Sequence, residues 1–97
     1  MSTYKSKKIT AADQFTDYIS IARGGAVVVV EDTSSMSMTV VLQIRQDSDS
    51  DPIDTGDTWT TEGAHVIEGV PDIEMRVGVK TGGYASGTAN VRIYRKQ

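Results

Sequence analysis

A chain of 97 residues with no cysteine and a formal net charge of −3 has room for one domain; it excludes disulfide staples and zinc centres built on thiolates. Hydrophobic residues make up 38%, too many for a disordered chain. A domain this small still buries only about 60–70% of its unfolded surface, so packing against partners is an expected source of extra stability.

The opening residues 1–8 are polar and basic, without periodicity. They read as a flexible basic arm ahead of a domain spanning 9–97. No apolar core follows the basic start, so no secretory signal is expected. Thr10 to Tyr18 is the one helical candidate, opened by a Thr10-Ala-Ala-Asp13 capping pattern, and is expected to give one turn at most. Tyr18 to Ile21 is a short β-prone run closed by Arg23-Gly-Gly25. Ala26 to Glu31 is a strand apolar on both faces, which implies burial on both sides, inside the domain or against a neighbour. Its apolar run ends at Val30, far short of a membrane span. Asp32-Thr-Ser-Ser35 predicts a turn.

Met38 to Arg45 is the clearest strand, with Met38, Val40, Leu42 and Ile44 on the core face. Gln46 to Gly56 predicts a loop, Thr58 to Thr61 a short strand with the sole Trp, and Ala64 to Glu68 another strand. After a Gly69-Val-Pro-Asp72 turn, Ile73 to Val79 alternates with Ile73, Met75, Val77 and Val79 inward. A glycine-rich link leads to a last strand, Thr88 to Tyr94, with Ala89, Val91 and Ile93 on one face. The rhythm of about seven to eight short strands predicts an all-β fold, a small antiparallel β-sandwich or jelly-roll-like barrel.

Chemistry is thinly represented. His65 is the only histidine; a histidine metal site lacks its partner set, and a Ser-His-Asp grouping, formally possible, has no Gly-x-Ser-x-Gly nucleophile turn. Asp47-Ser-Asp-Ser-Asp51 has the oxygen spacing that opens a calcium loop, but Pro52 and Thr58 stand where Gly and Glu are needed. A solvated acidic loop is the better reading. Gly24-Gly25 and Gly82-Gly83 fit turns, not phosphate loops. No catalytic residue, metal or cofactor is therefore expected. Between Arg45 and Arg76 there are nine acids and no Lys or Arg. That polarity argues against nucleic acid and for oriented docking on a charged protein surface.

Four segments carry a resemblance: Thr39-Val-Val-Leu-Gln-Ile-Arg45, Asp57-Thr-Trp59, Met75 to Gly82 and Tyr84 to Ile93. Together with Lys8 to Asp17 they resemble small β-sandwich structural proteins of tailed bacteriophages. The acidic stretch Asp47 to Gly56 and Glu74-Met75-Arg76 depart from that pattern. The resemblance implies a non-enzymatic virion component on the outer capsid surface. Its expected role is capsid decoration, or cement: an oligomer, a trimer in such proteins, bound to the major capsid protein and stabilising contacts between capsomers. The alternative is a tail, baseplate or fibre component that binds a host surface or glycan. Neither reading involves a membrane.

The interface candidates come from four places. Tyr4, Lys7 and Lys8 lie on the arm, and Val28 and Val30 on the two-sided strand. Trp59 and Tyr84 are aromatic anchors, and Arg95 belongs to the basic terminus.

Overall fold

The computed structural model describes residues 4–21, 25–68 and 72–95. These residues contain nine strands and no helix. In chain order the strands are β1 (Tyr4–Ile9), β2 (Gln14–Phe15), β3 (Ile19–Ile21), β4 (Ala26–Met38), β5 (Val40–Arg45), β6 (Ile53–Trp59), β7 (Gly63–Ile67), β8 (Ile73–Val79) and β9 (Tyr84–Arg95). They form two antiparallel sheets, and the chain is an all-β sandwich. The first sheet has the order β1-β9-β4-β7. The second has the order β2-β8-β5-β6, with β3 also pairing β8.

The alternation read from the sequence builds the core. Val28 and Val30 from β4 and Ala89, Val91 and Ile93 from β9 line the inner face of the first sheet. Val40 and Leu42 from β5 and Met75, Val77 and Val79 from β8 line the facing side of the second. Ile9, Ile19 and Ile21 close the ends. β-branched side chains standing off a pleated surface fill such a layer with little loss of rotamer freedom.

Four expectations are corrected. The flexible arm is ordered over Tyr4 to Lys8, because β1 pairs along β9 from Tyr4↔Tyr94 to Ile9↔Ala89. Lysines masked this strand; only Ile9 reaches the core. Residues 1–3 of the expected arm lie outside the described residues. The helical turn after Thr10 is instead a bend with Asp13 at φ 61°, tied by the Gln14 carboxamide, whose Oε1 accepts from the Thr10 and Ala11 N–H groups at 2.6 and 3.2 Å.

The Asp32 to Ser35 turn is also absent. β4 runs on to Met38 beside β9, with register shifts between Asp32 and Met38 that bend it. Its bulge brings the Ser35 carbonyl where a Cβ on Gly87 would lie 2.2 Å away, and Gly87 has φ 86°. Two constraints thus demand glycine there. The chain then crosses between sheets at Thr39, whose N–H donates to the Gly83 carbonyl at 2.7 Å. Finally, the Gln46 to Gly56 loop is shorter than expected, since β6 begins at Ile53. The Arg23-Gly-Gly25 and Gly69 to Asp72 turns fall mostly outside the described residues.

Candidate protein-docking face

The two outer faces of the sandwich are built differently. On the second sheet, Val41, Gln43 and Arg45 of β5 and Glu74, Arg76 and Gly78 of β8 point away from the core. The segment from Gln14 to Tyr18 folds across them. Phe15 pairs with Gly78, where a Cβ would meet the Gln14 carbonyl at 2.2 Å and the Phe15 Cα at 2.5 Å. Only glycine admits this close approach. Thr16 fixes the segment: its N–H donates to the Val77 carbonyl at 2.9 Å, and its hydroxyl accepts from the Val77 N–H at 3.2 Å.

A polar and aromatic network completes the cover. Arg76 places its guanidinium 4.0 Å from the Phe15 ring and 4.9 Å from that of Tyr18. Arg45 lies 3.5 Å from the Tyr18 ring and donates to Glu74 at 2.6 Å. The Arg76 Nε–H donates to Gln43 Oε1 at 2.9 Å, and Gln43 Nε2 donates to Asp54 Oδ1 at 2.8 Å. Lys80 completes the chain of contacts on the other Asp54 oxygen. Those donors, Lys80 first and then Gln43, hold the Asp54 carboxyl below its usual pKa. Although it faces outward, Val41 is only 4% exposed. Over β8 and β5 this face is sealed by its own chain, while the edge strand β6 stays exposed.

The first sheet has no such cover among the described residues. Its registers place Tyr4, Tyr94, Val27 and Val66 side by side across all four strands. The next outward row is Ser6, Arg92, Val29 and Ala64. The third is Lys8, Asn90 and Glu31, continued by Glu62 just ahead of β7. In the first row Tyr4 is 42% and Val66 57% exposed. The Tyr4 and Tyr94 rings lie 5.3 Å apart. A shallow hollow among Val29, Glu31, Glu62, Asn90 and Arg92 confirms that these side chains share one surface. The Arg92 guanidinium is held more basic than usual, by Tyr94 first and then by the nearby Glu31 carboxylate. The face therefore grades from an apolar row to a charged one with Lys8 at one edge and Glu31 and Glu62 at the other.

The candidates named from sequence divide accordingly. Tyr4 and Lys8 belong to this face. Lys7 is exposed on β1 but has the opposite parity, opposite Val91. Val28 and Val30 are corrected: they are 0% and 2% exposed and point into the core. The outward residues of that two-sided strand are Val27 and Val29. Val66 and Tyr94 were also missed, since a Val or Tyr at one strand position gives no sign of which sheet face it joins.

Trp59 is half-buried against the core and stacks on His65 at 4.7 Å and 16°. This contact links the second sheet to the first. It also encloses His65 Nε2, which has no hydrogen-bond partner among the described residues. Tyr84 packs on the core as well, donating its hydroxyl to the Gly87 carbonyl at 2.8 Å. Arg95 donates to the Ser20 carbonyl at 3.3 Å, across the end of the sandwich.

In the acidic loop, Asp47 caps its own turn. Its carboxylate accepts from the Asp49 N–H at 2.9 Å and the Ser50 hydroxyl at 3.2 Å. Among the described residues no group of three or more His, Cys, Asp or Glu is placed to hold a metal ion. No helix among them is long and apolar enough to cross a membrane.

Compared with known proteins, the chain matches no family model, no curated protein and no solved structure.

Proposed function

We propose that this domain is a non-enzymatic structural protein that joins protein surfaces, acting as a capsid decoration protein of the tailed-bacteriophage kind. In this reading it attaches as an oligomer to the outside of a shell of major capsid protein and stabilises contacts between capsomers. The observation that supports a joining role is the asymmetry of the sandwich: one outer face is sealed from within, and the other carries a row of apolar side chains across four strands. Contiguous apolar surface of this kind marks interaction sites on small domains. The virion setting rests on the sequence resemblance alone.

A domain that binds only the assembled shell stabilises it by mass action, without new chemistry. Copies bridging capsomer joints resist the outward load of packaged DNA. The glycan-binding alternative needs flat, exposed aromatic rings. Trp59 and Tyr84, its two candidates, instead pack on the core.

The test is to mix the purified protein with expanded, DNA-free shells from its own host phage and sediment them. Saturable co-sedimentation and a higher shell melting temperature are expected. Shells that sediment bare and melt unchanged would overturn the reading.

A further inference from the structure

We infer that the open face of the first sheet is occupied by the same face of a second copy, about a two-fold axis parallel to the strands between β9 and β4. This names the occupant of that face and so rests on its reading as a docking face, but not on the virion setting.

An isologous interface requires a surface that complements itself under a two-fold rotation. Two in-plane axes keep the strands of face-to-face sheets aligned, and the row order distinguishes them. Rotation about an axis parallel to the strands exchanges β1 with β7 and β9 with β4, and keeps each row on its own counterpart. Tyr4 then lies opposite Val66 of the second copy, and Tyr94 opposite Val27. In the third row Lys8 falls opposite Glu62, and Asn90 opposite Glu31. In the first row apolar meets apolar, in the third the basic edge meets the acidic edge twice, and in the middle row Ser6 falls opposite Ala64 and Arg92 opposite Val29. Rotation about an axis across the strands would lay the apolar row on the charged row, leaving both without partners.

Other observations agree. Packed sheets keep their strands within roughly 30° of alignment, which the first axis allows. Among the described residues the two ion pairs are Arg45–Glu74 and Lys80–Asp54. Lys8 and Glu62 are in neither. Among the described residues Glu62 accepts from the Asp32 N–H at 3.1 Å through Oε1. Tyr and Arg, enriched at protein interfaces, stand in the centre of the face as Tyr94 and Arg92.

The area sets the strength. Four strands about 4.8 Å apart and five residues about 3.4 Å apart cover roughly 300 Å² in projection. This is below the range of stable specific interfaces, where about 800 Å² a side is standard, and falls among weak contacts. The pair is therefore weak, with a dissociation constant in the micromolar to millimolar range, and tightens where copies are concentrated. It also makes the elementary unit two-fold, in place of the trimer that the resemblance implies.

Sedimentation equilibrium of the full chain from micromolar to millimolar concentration tests this. A monomer–dimer equilibrium is expected. Val66→Glu should weaken it about a hundredfold by setting a charge in the apolar row. Lys8→Glu and Glu62→Lys should each weaken it roughly five- to tenfold. The double exchange should return it to near the wild-type value, because each new pair is restored across the axis. Circular dichroism and melting temperature are followed in all variants, and those at exposed Val66 and Lys8 should fold as the wild type does. A chain that stays monomeric at millimolar concentration, a trimer, or a double exchange no tighter than the single ones would overturn the inference. Shell binding is scored separately, so a monomer that still binds shells would sink the two-fold pair and leave the decoration role standing.

Discussion

The two outer faces of this sandwich show what a small β domain does with surface it cannot bury in its single core. The second sheet covers its outward side with the five residues from Gln14 to Tyr18, and the means are specific. A glycine at 78 lets Phe15 lie flat, two arginines sit against two aromatic rings, and a carboxamide links Arg76 to Asp54. The first sheet has no such cover among the described residues, and its outward rows run from tyrosine and valine to lysine and glutamate. Side chains on the sealed face should therefore matter for folding, and those on the open face for association.

The largest expected effect tests the seal. Gly78→Ala sets a Cβ into the Gln14 and Phe15 backbone and should destabilise the fold by about 2–4 kcal/mol, read as a lower urea midpoint. A change within about 0.5 kcal/mol would show that the Phe15 segment is not held against β8. Next comes a matched pair. Arg76→Ala removes a cation–π contact and a hydrogen bond to Gln43 and should cost about 1–2 kcal/mol. Val66→Thr on the open face should stay within about 0.5 kcal/mol. Equal losses in the two would erase the contrast between the faces.

The smallest effect concerns pH. Asp54 titrates below its usual value of 3.8 because Lys80 and Gln43 donate to it. A carboxyl depressed on folding contributes stability above its unfolded pKa, and that contribution is lost as pH falls through the folded value. The Asp54 carboxyl carbon, followed by NMR, should thus show a midpoint below 3.8, moving up in Lys80→Ala. A wild-type midpoint at or above 3.8 would remove Asp54 from the network.

Much of the fold was legible because the central strands face one core. Met38, Val40 and Leu42, then Met75, Val77 and Val79, then Ala89, Val91 and Ile93 alternate cleanly, and all are buried. Edge strands carry weaker signals. β1 is written in lysines, which protect a sheet edge from pairing with strangers, and these read as a disordered arm. β6 has one bulged neighbour and is exposed almost throughout, so its acids read as loop.

The docking face was half legible. The run Val27 to Val30 announced that both sides of β4 would be covered, but parity alone does not say which side meets the core. That choice is fixed by neighbours distant in sequence: Ile93 and Val91 of β9 lie beside Val28 and Val30, whereas Tyr94 and Arg92 lie beside Val27 and Val29. The stacking of Trp59 on His65 joins two sheets across a turn and leaves no periodic trace.

The most direct measurement of the asymmetry is a dilution series of two-dimensional NMR spectra, from millimolar to micromolar. Resonances of Tyr4, Val27, Val66 and Tyr94 should move together along one binding curve, while those of Tyr18, Val41, Arg45 and Arg76 stay fixed. Spectra that do not change with concentration, or change on the Arg45 and Arg76 side instead, would contradict the account.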